Sequence, residues 1–322
     1  MPISRRTLLT SALASAALAP RGARAAYPER PIRLIVPFPP GGAADPVARV
    51  LAQALGDRIG QPLVILNRGG AGGSLAMDEV AKAAPDGYTL LLSHSGMTYM
   101  PGLYRQLPFD PVKDFAAIIA AVSGFYVLAV GPTVPIRSVA ELIAYAKANP
   151  GKLTYGSAGI GSTLHLAGEL FRREAGIDIL HVPYKGGGPA ITGLAGGQTQ
   201  MMFGPAVGIL PLAQAGKIRA LAVTSAKRST LAPDLPAVAE TLPGFDIVGW
   251  YGLAAPAGTA PADIARLNTE TNAALQSPDL IARLRELTYE PIGGTAAEAS
   301  ARIAADVARW TKIIREAGIA PQ

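Results

Sequence analysis

The sequence predicts an α/β protein built as two lobes, each a mainly parallel sheet flanked by helices. Three observations carry that expectation. Short β-branched runs alternate with amphipathic stretches along the chain. The alternation restarts after Phe115, as it would where a second unit begins. Two long apolar runs, residues 115–131 and 245–258, carry almost no charge and are suited to pass from one unit to the other. Of the 322 residues 49% are apolar and 16% charged, a balance that suits folded cores and excludes a disordered chain.

Taken in order, Ile32 to Val36 reads as a strand, and Asp45 with Pro46 opens a helix to about Leu55, Asp45 as its N-cap. Leu63 to Leu66 is a second strand. The glycine cluster "GGAGGS" follows, then a helix through Glu79 and Val80, a "PDGY" turn, and a buried strand over Thr89 to Leu92. In the second unit a helix covers Ala140 to Ala148 and a strand Leu153 to Tyr155. A helix capped by Ser162 runs to about Glu174. Ile179 to Val182, Gln200 to Phe203 and Ala220 to Val223 are strands separated by helices. Near the C-terminus Thr295 and Glu298 form a capping box, and Ile303, Val307, Trp310 and Ile314 repeat at helical spacing as a core face.

Residues 1–25 read as an export signal: a short basic head, an apolar run from Leu8 to Ala19, then Ala23-Arg24-Ala25 as a cleavage pattern. The run Ser4-Arg5-Arg6-Thr7-Leu8-Leu9 resembles a twin-arginine signal and equally a general export signal with two adjacent arginines. Both routes lead out of the cytoplasm. Cleavage removes Arg5, Arg6, Arg21 and Arg24 and no acidic residue, which takes the formal charge from +6 to +2. No Lys/Arg cluster remains, so nucleic acid is not an expected partner. Cysteine is absent, which excludes disulfides, thiol nucleophiles and thiolate metal sites.

Two loops share one grammar. "VPFPPGGAADPVAR" and "LTYGSAGIGSTLHLAGEL" each pass from a strand end through glycines and small residues into a helix. Helix starts of this kind present unpaired N–H groups and about half a positive charge, a site for an anion that needs no basic side chain. "GSAGIGST" approaches a P-loop but places Ser162 where the phosphate-binding lysine stands. "GGAGGS" misses the dinucleotide fingerprint because position 75 is Leu. Two loops in separate units therefore suggest a cleft with an anion-binding lip on each side.

Catalytic chemistry has little support. His94, His165 and His181 fall in no metal-ligand spacing, and no cofactor or metal is expected. Ser162 and His165 lie three apart, which leaves a secreted serine-type hydrolase as the alternative reading, although a capping role would occupy the Ser162 hydroxyl. A module whose main task is docking to a signalling partner is a second rival.

The ordered blocks "YPERPIRLIVPFPPGGAADPVAR", "GGAGGSLAMDEVAKAAPDGYTLL", "LTYGSAGIGSTLHLAGELF", "HVPYKGGGPAITGLAGGQTQMMF", "GKIRALAVTSAKR" and "WYGLAAPAGTAP" resemble the Bug family, extracytoplasmic solute receptors of tripartite tricarboxylate transporters. The resemblance runs from about Tyr27 to the C-terminus. It implies a periplasmic binding protein of the type II, Venus-flytrap class, with residues 26–125 plus 249–322 as lobe 1 and 126–248 as lobe 2. It also implies a non-enzymatic monomer that captures a small carboxylate for transporter membrane subunits or a sensor. Carried over by motif, the ligand contacts of lobe 1 are Phe38, Pro39, Gly41, Gly42, Asp45, Ala71, Gly72 and Ser95. Those of lobe 2 are Ser157, Ala158, Gly159, Ser162, Thr163 and His165, with Tyr184, Lys185 and Phe203 nearby. The chain departs from the family pattern at Leu66 and Gly69, and at His94 and Tyr99, where smaller or apolar residues are common. His94 reads as a wall residue that could also supply a pH-sensitive donor.

Overall fold

Ten strands and ten helices, with short 3-10 turns between them, make up residues 27–316 and 318–321, the part of the chain that the computed structural model describes. The export signal expected over residues 1–25 lies outside it. In chain order the first lobe opens with β1 (Ile32–Val36), α1 (Ala44–Ile59), β2 (Leu63–Asn67), α2 (Ser74–Ala81), β3 (Thr89–His94) and the short α3 (Met100–Leu103). After β4 (Phe115–Val130), the second lobe contains α4 (Val139–Ala148), β5 (Leu153–Ser157), α5 (Thr163–Glu174), β6 (Ile179–Pro183), α6 (Gly187–Ala195), β7 (Met201–Pro205), α7 (Ala206–Gln214) and β8 (Arg219–Val223). The chain returns through β9 (Val248–Pro256) and ends in α8 (Pro261–Leu275), α9 (Pro278–Glu286), β10 (Tyr289–Pro291) and α10 (Ala296–Glu316).

Each lobe holds a parallel trio, β2-β1-β3 in the first and β6-β5-β7 in the second. In both, helical crossovers between successive strands make parallel pairing possible. The sequence predicts mainly parallel sheets. The structure keeps parallel pairing within the trios and joins them through antiparallel partners, because β4 and β9 run against the trio strands beside them.

β4 is the shared element. Its first part pairs with β9 from Phe115↔Pro256 to Phe125↔Val248, and its last residues pair with β7 from Tyr126↔Pro205 to Val130↔Met201. The change of partner falls between two adjacent residues. A strand of 16 residues is possible because "FAAIIAAVSGFYVLAV" is apolar, rich in branched residues and free of proline. At about 3.3 Å per residue it spans on the order of 50 Å, enough to serve both sheets.

The first lobe's sheet is covered on both faces, which the period of two requires. Leu34, Val36, Leu90 and Leu92 pack on the α1 and α8 side, whereas Ile35 and Leu91 pack with Met77, Val80 and Ile303 on the other. In the second lobe Phe171, Phe203 and Phe245 pack ring against ring, with centroids 5.4, 5.8 and 6.3 Å apart. α10 starts with the expected capping box: Glu298 Oε2 accepts from the Thr295 N–H at 2.7 Å, and Thr295 Oγ1 accepts from the Glu298 N–H at 3.1 Å. Ile303, Trp310 and Ile314 are buried along its face, as their spacing predicts.

Two local expectations are corrected. α1 starts earlier than Asp45: its N-cap is Ala43, with no side-chain cap, and Asp45 sits inside the first turn. The Asp45 carboxylate turns instead to Arg49 Nε (3.0 Å) and Asn67 Nδ2 (3.1 Å). Phe203 belongs to the aromatic core of the second lobe and is fully buried there.

Candidate functional site

The helix starts of the two lobes converge on one cavity. Its first-lobe wall is Phe38 from the β1–α1 loop, with Gly42, Ala43 and Ala44 at the start of α1. The second-lobe wall is Ala158 and the start of α5, Ser162 to Leu164, joined by Gly187 at the start of α6 and by Pro205, the N-cap of α7. His94 at the end of β3, with Tyr126 and Tyr251 from within β4 and β9, closes the floor. The cavity is small, ≈ 40 Å³, and no Asp, Glu, Lys or Arg lines it.

Local chemistry explains why α1 and α5 meet the cavity differently. The first-turn amides of α1 have no side-chain cap, because the N-cap is Ala43, which has no polar group, and the Asp45 carboxylate is held by Arg49 and Asn67. Asn67 Nδ2 also donates to the Phe38 carbonyl at 2.9 Å, which fixes the loop ahead of that helix. At α5, Ser162 is the N-cap as predicted: its Oγ accepts from the His165 N–H at 3.3 Å and donates to the Gly159 carbonyl at 2.6 Å. Ser157 supports the same loop by accepting from the Gly159 N–H at 3.1 Å. In both helices the first-turn N–H groups have no partner further back in the helix and point toward the open end.

Of the residues predicted as ligand contacts, Phe38, Gly42, Ala158, Ser162 and Thr163 line the cavity. Pro39, Gly41 and Gly72 stand outside the lining against the opposite lobe, and the exposed Ala71 beside Gly72 accepts from Tyr104 of its own lobe. A methyl carbon at Gly188 would lie 3.0 Å from the Gly41 carbonyl oxygen, and one at Gly186 would lie 3.0 Å from the Pro39 ring. Gly72 has φ +64° and abuts the Ile160 carbonyl, so any side chain there would overlap it. Ser95 is buried, with its Oγ 3.2 Å from Thr163 Oγ1 across the lobes. Gly159 is part of the rim, 3.4 Å from the Gly72 nitrogen when given a methyl carbon.

The remaining residues lie elsewhere. Asp45 is held in its ion pair, and Phe203 is in the core. His165 is buried, and its ring packs at a tilt against His181 with centroids 4.4 Å apart. Tyr184 donates to Gln198 Oε1 at 3.2 Å, and Lys185 is exposed. Sequence reasoning missed Ala43, Ala44, Leu164, Gly187, Pro205, Tyr126 and Tyr251. "YKGGGPA" carries the same glycine-to-helix signal as the other two loops and could have revealed Gly187. Tyr126 and Tyr251 reach the floor only through the pairing of distant strands.

His165 and His181 pack together in the second lobe while His94 lines the cavity, and burial favours the uncharged form of all three. Burial lowers the pKa of His94 to about 3 and also lowers that of His165. Burial, reinforced by the neighbouring His165, lowers His181 to about 4. His181 Nε2 lies 2.6 Å from Ser157 Oγ, which is fully buried and outside the cavity lining. The Ser162 hydroxyl donates to a backbone carbonyl, and His165 Nδ1 faces the Gly161 N–H at 3.5 Å. Ser162 and His165 therefore form no nucleophile–base pair. Among the described residues no group of three His, Asp or Glu side chains could hold a metal ion, and no helix is long and apolar enough to cross a membrane.

Comparison with known proteins finds relatives along nearly the whole chain. Residues 47–319 match the family described as tripartite tricarboxylate transporter family receptor. The protein BugT of Bordetella pertussis is 39% identical over 309 residues, covering 95% of this chain and 95% of BugT. An R. palustris protein solved with adipate is 39% identical, with a TM-score of 0.88 over 92% of this chain and 100% of that one. MatC from Rhodopseudomonas palustris, solved with bound malate, is 32% identical, with a TM-score of 0.85 over 89% of this chain and 100% of MatC.

Proposed function

Since the chain belongs to the tripartite tricarboxylate transporter family of receptors, we propose that it captures a small organic carboxylate between its lobes. One observation carries the reading: a cavity without charged side chains is lined by the starts of four helices from both lobes. An anion there meets N–H groups and the positive ends of helix dipoles instead of a lysine or arginine. The adipate and malate seen in relatives are ligands of this chemistry. A ligand touching both walls favours the closed arrangement by its difference in affinity between open and closed forms.

Lobe 1 is residues 26–125 plus 249–322 and lobe 2 residues 126–248, a division supported by the partner change between Phe125 and Tyr126. Residues 1–25 direct export to the periplasm. There the monomer delivers its ligand to transporter membrane subunits or to a sensor and catalyses nothing. The engaged Ser162 hydroxyl argues against the hydrolase reading. Thermal unfolding of the chain without residues 1–25, against mono-, di- and tricarboxylates, tests the proposal. A saturable rise in Tm with at least one acid is expected. No shift with any of them would count against it.

A further inference from the structure

His94 presents one engaged ring nitrogen and one without a partner. Its Nδ1 accepts a hydrogen bond from the Gly96 N–H at 3.0 Å, capping the 3-10 turn of Ser95–Thr98. A nitrogen that accepts carries no proton, so the neutral ring holds its single proton on Nε2. Nε2 is buried and has no hydrogen-bond partner among the described residues. The residue is 3% exposed and lines the cavity. The edge-on Phe38 ring, 5.0 Å away, and the Tyr251 ring, 6.4 Å away, hold the imidazole between them. Nε2 faces the side-chain-free position of Gly73, where an added methyl carbon would lie 3.1 Å from it.

Building on the carboxylate-receptor reading, we propose that the Nε2–H of His94 is a specificity-determining donor to an acceptor oxygen of the bound acid. Buried polar groups are nearly always paired, and this N–H, on a residue that lines the cavity, has no acceptor among the described residues. The helix starts supply a diffuse positive potential, which favours any anion. A single N–H fixed by the Gly96 bond supplies direction, and it selects acids that place an oxygen opposite it. A neutral donor suits the unliganded site, because no Asp or Glu lines the cavity to pair with a buried imidazolium there.

Two substitutions separate the donor from the cap. In His94→Asn the amide oxygen can take the Gly96 N–H, as Nδ1 does, but the side chain is too short to place a donor at the Nε2 position. In His94→Gln the amide N–H reaches that position. Calorimetric titrations with succinate, malate and adipate provide the probe. For the acid that binds wild type best, His94→Asn is expected to weaken binding by roughly 10- to 100-fold, the range of a lost hydrogen bond to a charged group, at nearly unchanged Tm. His94→Gln is expected to recover most of the affinity. Nitrogen-15 NMR of wild type should show the proton on Nε2 and a shift of that signal on saturation with the same acid. Wild-type affinity in His94→Asn, a proton on Nδ1, or an unmoved Nε2 signal would overturn the role of His94. Failure of wild type to bind any of the three acids would overturn the receptor reading itself.

Discussion

The Tyr104 hydroxyl of the first lobe lies 2.9 Å from the Ile160 carbonyl oxygen of the second and 3.0 Å from the Ala71 carbonyl oxygen of its own. Its single proton is shared between a rim loop and the loop that faces it across the cleft. Separation of the lobes breaks the first contact. Tyr104→Phe keeps the ring and removes the latch. A net loss of about 0.5–1.5 kcal/mol predicts affinity for the bound acid weaker by roughly 2- to 12-fold. The change belongs in the dissociation rate, measured by stopped-flow displacement. An unchanged dissociation rate would show that the contact does not hold the closed form.

Gly72 tests closure by steric means. Its φ is +64°, and a Cβ would overlap the Ile160 carbonyl oxygen of the opposite lobe. Gly72→Ala carries about 1 kcal/mol of backbone strain within its own lobe. The larger effect appears on closing. Binding of the acid should weaken more than tenfold by calorimetry, with a Tm change of only a few degrees for the unliganded chain. Full affinity in this variant would mean that the lobes need not approach this closely.

The Ser162 cap should matter to the fold and to ligand binding alike. Ser162→Ala removes both the cap of α5 and the bond to the Gly159 carbonyl. A loss of about 1–2 kcal/mol in urea unfolding is expected, with weakened binding of the acid. If wild type hydrolysed esters and only this variant lost that turnover, Ser162 would be a nucleophile and the reading given above would be wrong.

Acid should destabilise the protein through its buried histidines. Folding lowers the pKa of His94 from 6.5 to about 3, so below pH 6.5 the unfolded chain takes up a proton that the folded chain refuses. Stability from this residue is complete above pH 6.5 and falls as pH drops toward 3, by at most about 1.4 kcal/mol per pH unit. His181 adds a smaller decline of the same sign, since burial lowers its pKa as well. Urea unfolding of wild type and His94→Asn from pH 7 to pH 4 checks this. The variant should show a shallower profile, and parallel profiles would refute the assignment.

The sequence made the two lips of the cleft readable because glycine and small residues followed by an apolar period mark a helix start wherever they occur. Ser162 was recognisable as a cap for the same reason. Asp45 was misplaced because an acid before Pro46 looks like a cap, and nothing local shows that Arg49 and Asn67 claim its carboxylate. Phe203 stands in a strand whose end, Pro205, reaches the site, but its side chain is drawn into the core by Phe171 and Phe245, which lie far away in sequence. The cavity floor was not legible either. Tyr126 and Tyr251 meet there only because β4 pairs with both β7 and β9.

The central claim is that helix N-termini from both lobes hold a carboxylate, and one calorimetric experiment addresses it directly. The chain lacking residues 1–25 would be titrated with adipate, malate and succinate, and in parallel with the uncharged diamide of each. Saturable one-to-one binding of at least one acid, with no measurable binding of its diamide, is the predicted result. Absence of binding by all three acids, or equal binding of acid and diamide, would contradict it.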